Sequence, residues 1–171
     1  MKFTILLSLV CVSLAAAAEE ASKQSPGRDV EKPGPPSYED VKDNDKAMDR
    51  AVAKARESLG FFLAALKAKK PDSTDFEVKK CFVEGDKVEH IWLRAVTWDG
   101  KAFRGKVDNQ PLEVTNVKLG QEVTLNPEDL TDWMFVKEGK LMGGFTTRVL
   151  YSRLSPEEQA QFREQAEFSL E

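Results

Sequence analysis

In 171 residues the chain carries 25 basic and 29 acidic groups, a mildly acidic balance that favours solubility and argues against a nucleic-acid partner. It has two cysteines, Cys11 and Cys81, and Cys11 lies in an apolar leader. Loss of that leader leaves Cys81 alone, which excludes an intramolecular disulfide, so a packed core must hold the fold. The leader is the segment Met1 to Ala18: Lys2, an apolar run from Phe3 to Leu14, then Ala16-Ala17-Ala18 before Glu19. These are the features of a cleavable secretory signal peptide, with the cut expected after Ala18. The run is too short for the roughly 20 residues of a membrane span, and no later run is long or apolar enough for one. Val12 and Leu14 continue the apolar stretch past Cys11, which argues against a lipid-modified cysteine. Removing Lys2 with the leader leaves 24 basic against 29 acidic groups, a net of about −5.

From Glu19 to Asp43 the chain contains Pro26, Pro33, Pro35 and Pro36 and almost no large apolar residue. Such a segment buries too little surface to offset the entropy of ordering, and a disordered Pro-rich tether is expected. Residues 44–171 are expected to form a single α+β domain. From Asn44, the residues Met48, Val52, Ala55, Leu59, Phe62, Leu63 and Leu66 recur at steps of three and four. That spacing predicts one amphipathic helix to Lys67, capped by Asp43 or Asn44, with Lys67, Lys69 and Lys70 at its end and Pro71 beyond.

After Asp75 the period falls to two. A turn at Gly85-Asp86 sets Phe76 opposite Ala95, Glu77 opposite Arg94, Val78 opposite Leu93 and Lys79 opposite Trp92, a register that pairs apolar with apolar side chains and opposite charges with each other. Asp99-Gly100 predicts a type I′ hairpin that places Val96 opposite Phe103 and Trp92 opposite Val107. Further strands are expected over Val117–Leu125, Trp133–Val136 and Leu141–Tyr151, the last two joined by Lys137-Glu138-Gly139-Lys140. A closing helix opens at Ser155-Pro156-Glu157-Glu158, with a capping hydroxyl, proline at the first helical position and glutamate at the third. The middle strand is apolar on both faces, Ile91, Leu93 and Ala95 on one and Trp92, Val96 and Trp98 on the other. The expected fold is therefore α+β: a curled, meander-like antiparallel sheet, a partial barrel, packed by the N-terminal amphipathic helix and followed by a short C-terminal helix.

Two constellations could carry chemistry. His90 is the single histidine, and the hairpin register sets it opposite Cys81. A thiol facing an imidazole suits a nucleophile with its base, or two ligands of a soft metal, but with no third partner at ligand spacing the first reading is a structural or partly exposed pair. The second constellation is Asp132-Trp133 with Gly143-Gly144 and Thr146-Thr147-Arg148. Pairing the strands about Glu138-Gly139 brings Trp133 opposite Gly144 and Asp132 near Phe145. This describes a notch for an anion or peptide, with Arg148, Thr146 and glycine amides as donors and Trp133 as a wall. The first reading of the same residues is a glycine bulge with Asp132 paired to Arg148 to close a barrel. Asn109-Gln110-Pro111 reads first as a turn and second as a binding rim. The HExxH, CxxC, GxSxG, P-loop, GxGxxG and EF-hand patterns are missing, and no cofactor or metal is called for.

The blocks EHIWLRAV, FRGKVDNQP, VKLGQEVTL and LTDWMFVKEGKLMGGFTTRVL together resemble the YegJ-like bacterial domains, a family of unknown function. The resemblance covers roughly Phe76 to Tyr151 and includes His90-Ile91-Trp92, Gly105, Asn109, Pro111, Gly120, Asp132-Trp133, Gly143-Gly144 and Arg148. It implies bacterial origin and, for secreted members, a periplasmic location, and it brings no catalytic residues. The Pro-rich tether and the Ser155 to Glu171 helix look particular to this chain. The expected function is a non-enzymatic, extracytoplasmic binding or accessory module for a protein or peptide, with Asp132, Trp133, Gly143, Gly144, Thr146 and Arg148 as the site. The alternatives are an enzyme or redox-active protein using Cys81 and His90, and an immunity or inhibitor protein against a secreted toxin.

Overall fold

The computed structural model describes residues 45–170, so the expected leader, tether and Asn44 cap lie outside the described residues. Asp45 caps the first helix: its carboxylate accepts hydrogen bonds from the backbone N–H groups of Ala47 and Met48. The single helix expected to Lys67 is two, α1 (Lys46–Glu57) and α2 (Leu59–Ala68), broken at Ser58. A physical cause is visible at the break. The indole N–H of Trp133 donates to the carbonyl of Ala55 at 2.8 Å, and the Ser58 hydroxyl donates to the Lys54 carbonyl at 2.6 Å beside the Ser58 N–H at 3.1 Å, so side-chain donors insert into the carbonyl ladder at the break. Lys69, in the left-handed conformation at φ 46°, ends α2 just before Pro71.

Six strands follow: β1 (Ser73–Glu84), β2 (Lys87–Trp98), β3 (Phe103–Val107), β4 (Glu122–Leu125), β5 (Leu130–Lys137) and β6 (Lys140–Gly143). They form one antiparallel sheet in the order β4-β3-β2-β1-β5-β6. The α+β class and the antiparallel sheet are as expected. The sheet is open, however, with β4 and β6 at its edges, and it is not a simple meander, because β5 returns to pair with β1. Closure is unnecessary since each face of β2 has its own cover. Ile91 and Leu93 join Phe62, Val78, Phe103, Trp133 and Phe135 in the core on the α1–α2 side, and Trp92 points to the other face, under the C-terminal segment.

The β1–β2 register is as expected from Val78↔Leu93 through Lys79↔Trp92 and Cys81↔His90 to the turn. The ladder stops before the expected Glu77–Arg94 and Phe76–Ala95 pairs, where Ala95 adopts φ 52°. That irregularity also shifts β2 on β3, giving Leu93↔Val107 and Trp98↔Phe103 in place of the expected partners. The connection is a four-residue loop closed by the Asp99 side chain, which accepts from the N–H groups of Lys101 and Ala102, so Asp99-Gly100 is not a two-residue turn. The strand expected from Val117 begins only at Glu122. Before it, the buried Glu89 carboxylate gathers the N–H groups of Leu112, Glu113 and Val114 and holds that loop to β2.

The strand expected over Leu141–Tyr151 ends at Gly143, and Phe145–Tyr151 is a helix, α3. Gly143 (φ 73°) and Gly144 (φ 60°) turn the chain in consecutive left-handed conformations, and the Asp132 carboxylate then accepts from the N–H groups of Phe145 and Thr146. This capping overrides the strand preference of the Thr-Thr-x-Val stretch. The closing helix, α4 (Pro156–Gln165), has the expected capping box between Ser155 and Glu158. Beyond it, Ser169 bridges to the β6 edge at Lys140. No helix among the described residues is long and apolar enough to cross a membrane.

Candidate functional site

β5 and α3 meet at Asp132, which is fully buried. Its Oδ1 accepts from Trp133 N (2.8 Å) and Phe145 N (3.2 Å), and its Oδ2 accepts from Thr146 N (2.8 Å) and Thr146 Oγ1 (2.6 Å). Trp133, 2% exposed, lies between the sheet and α1. Arg148 donates to the carbonyls of Gly143 (3.0 Å), Leu141 (2.7 Å) and Leu170 (2.5 Å), tying α3 to β6 and to the C-terminal tail. The expected constellation is thus assembled as the strand pairing requires. Gly144 N donates to Trp133 O at 2.8 Å, and Asp132 reaches Phe145. Its polar groups are turned inward on the backbone, and the direct bonds of Asp132 go to Thr146 and main-chain amides, not to Arg148.

The concavity lies beside this framework. Asp132 on β5, Lys79 on β1 and Trp92 on β2 are cross-strand neighbours in one row. Lys79 is 1% exposed; its ammonium donates to Thr146 Oγ1 at 2.8 Å and sits 4.4 Å from the centre of the Trp92 ring. Next to this row is a cavity of about 210 Å³. Its floor is Glu77, Trp92, Met134 and Thr147, its rim is Asp108 and Asn109, and its roof comes from Phe162, Gln165, Ala166 and Phe168 of α4 and the tail. Asn109 is placed by its side-chain oxygen, which accepts from Trp92 N at 3.3 Å, and Asp108 pairs with Arg94 at 2.6 Å. Asn109 thus lines this cavity.

Electrostatics on this face are dominated by desolvation. Burial pushes the Glu77 carboxyl up to about 8, with Asp108 and Asp75 adding to the rise against the opposing charges of Arg94 and Lys79. Burial also pulls the Lys79 ammonium down to about 8, against the attraction of Asp132 and Glu77. Asp132 is likewise raised by burial, although Lys79 and its hydrogen bonds oppose the shift. A carboxyl whose folded value lies above its unfolded one stabilises the fold below the unfolded value and loses that contribution as pH rises through the folded value. Glu77 therefore costs stability between about 4.5 and 8. Glu77→Gln is expected to flatten the fall in urea-unfolding free energy over that window, by on the order of 2 kcal/mol, well under the full linkage value because the carboxyl keeps solvent contact. Parallel profiles for variant and wild type from pH 4 to 9 would contradict this.

Cys81 and His90 do stand opposite each other as Cα partners. His90 Nδ1 lies 3.2 Å from the Thr131 hydroxyl. Burial raises the Cys81 thiol and lowers the His90 imidazole, so both are held toward their neutral forms. Among the described residues no group of three or more His, Cys, Asp or Glu side chains could hold a metal ion. Sequence inspection missed Glu77, Lys79 and Trp92. Lys79 opposite Trp92 was visible in the register, but nothing local says that a helix eighty residues later covers that face.

Fold and site together define an open-sheet α+β domain with a buried lysine–aspartate pair beside an aromatic-walled cavity under its C-terminal segment. The chain belongs to the bacterial family described as "Uncharacterized protein conserved in bacteria (DUF2314)", which matches residues 45–170. The match takes in both the first helix and α4, so the closing helix is part of the family domain and not particular to this chain. The chain is similar to the uncharacterized protein YegJ of Escherichia coli K12, 35% identical over 118 residues, covering 69% of this chain and 76% of YegJ. It is also similar to a putative ankyrin repeat protein of Neisseria meningitidis serogroup B, 31% identical over 129 residues, covering 71% of this chain and 51% of that protein. No solved structure matches.

Proposed function

We propose that this is an exported, periplasmic, non-enzymatic binding module whose ligand seat is the cavity between the Glu77–Trp92–Met134 face of the sheet and α4. The observation that carries the proposal is the cavity itself, walled by Trp92, Phe162 and Phe168 with a few polar groups converging on it, the usual make-up of a binding site. Its roof is lightly held, because α4 has no buried residue of its own and the tail is fixed mainly by Ser169 at β6 and by Arg148 on Leu170. Such a cover can open without disturbing the core. Export is supported by the leader over 1–18, and a protein or peptide partner by the Neisseria relative, whose name refers to ankyrin repeats, modules with extended binding surfaces. The Cys81–His90 chemistry gains no support from a pair held neutral, and nothing observed favours an immunity role.

The test is a fragment screen by protein NMR on the mature chain, repeated on Ala166→Trp, which fills the cavity from its roof. Perturbations centred on Trp92, Asn109 and Phe168, lost in the variant while its melting temperature stays within a few degrees, are expected. Hits that lie elsewhere, or that survive the filled cavity, would overturn the assignment. Expression of the full 171-residue chain and recovery of its product from the periplasmic fraction with Glu19 at the N-terminus checks export; recovery of the uncut chain in the cytoplasm would refute it.

A further inference from the structure

The cations and acids around the cavity do not balance. Arg94 is engaged by Asp108, and Lys79 sits between Asp132 and the Trp92 ring, its ammonium donating to Thr146 Oγ1. Glu77 lines the cavity, and among the described residues it makes neither a hydrogen bond nor an ion pair. Among the described residues no fully buried side-chain oxygen or nitrogen lacks a partner, so the Glu77 oxygens keep some exposure in a residue that lines the cavity. The residues that line the cavity with Glu77 include Trp92, Phe162, Phe168 and Met134. An acidic group in an aromatic and apolar enclosure suits a cation on a hydrocarbon stem: the charge gains an ion pair and ring-face attraction, and the stem gains burial.

We propose that the cavity takes an ammonium group carried on a short apolar stem, with its charge on Glu77 and its methylenes against Trp92, Phe162 and Phe168. This rests on the cavity being the ligand seat. The volume of about 210 Å³ is that of roughly seven waters, enough for a stem of about five heavy atoms. The chemistry is shared by a free alkylamine and by a lysine side chain of a peptide. An anion is disfavoured, because it would meet Glu77, with Asp75 and Asp108 nearby. The titratable groups acting on Glu77 are Asp75, Lys79, Asp108 and Arg94, and α4 and the tail line the cavity with none. Glu77 ionises and Lys79 loses its competing charge over the same range near pH 8, so amine affinity rises with pH toward 9.

The test titrates the mature protein at pH 9 with three probes of equal length, n-butylammonium, n-butanol and butyrate, and with Nα-acetyl-lysine methylamide, following the Trp92 indole and Phe168 amide by NMR. Butylammonium is expected to bind about tenfold or more tightly than the neutral and anionic probes, with that preference lost in Glu77→Gln. The lysine derivative binding more tightly than butylammonium assigns a peptide side chain; the reverse order assigns a free amine. Butanol or butyrate binding as well as the amine, or a preference that persists in Glu77→Gln, overturns the cation inference and leaves the cavity as the seat. Silence from every probe at Trp92 overturns both.

Discussion

Gly143→Ala is expected to destabilise the domain by about 3–5 kcal/mol, measured as a loss of urea midpoint at unchanged m-value and a fall in melting temperature of roughly 10–20 °C. Two costs add. Gly143 has φ 73°, a conformation that costs an alanine about 1 kcal/mol. The larger cost is steric, since a Cβ at this position would lie 2.3 Å from the Trp133 carbonyl oxygen and 2.4 and 2.5 Å from two atoms of its indole. Neither partner can yield cheaply. The carbonyl accepts from Gly144 N, and the indole is pinned by its bond to Ala55 and packed on Phe62 and Phe145. Gly139→Ala is the control, with φ 74° and nothing within 4 Å of its Cβ, so it should cost only about 1 kcal/mol. Equal losses for the two variants would mean that the Trp133 contact is not the constraint.

The sequence made this contact partly visible. A turn about Glu138-Gly139 fixes the β5–β6 register, and a tryptophan then has to lie over glycine; the structure places the steric conflict at Gly143 and the backbone bond at Gly144. The β1–β2 pairing and the capping box of α4 were legible for the same reason, since each is written in residues close together along the chain. What failed depended on distant partners. The break at Ser58 is marked by an indole from β5, and α3 replaces a strand because a carboxylate thirteen residues upstream caps it. The cavity draws on β1, β2, β5 and α4 together, so no local pattern announces it. Residues picked out for their chemistry, Asp132, Trp133 and Arg148, hold the frame, while Glu77 and Lys79 show in the sequence only as expected cross-strand partners of Arg94 and Trp92.

Asp132→Ala should cost about 3–5 kcal/mol by equilibrium unfolding at pH 7, and Asp132→Asn somewhat less. Alanine strands the N–H groups of Trp133, Phe145 and Thr146 together with the Thr146 hydroxyl, in a fully buried site. Asparagine keeps one acceptor oxygen but turns an NH2 group toward donors, and either change removes the carboxylate whose attraction keeps the buried Lys79 charged. Lys79→Met is milder, on the order of 1–3 kcal/mol, because a thioether of similar length fills the space beside Trp92 and the four donors to Asp132 remain. The decisive measurement is the double variant Lys79→Met/Asp132→Asn. If the lysine is tolerated because of the aspartate, removing both cancels the unpaired buried charge, and the double variant should be more stable than the sum of the single losses by about 1–2 kcal/mol. Simple additivity would show instead that Asp132 serves only as the cap of α3 and that Lys79 is held independently of it, through Thr146 and the Trp92 ring among its contacts.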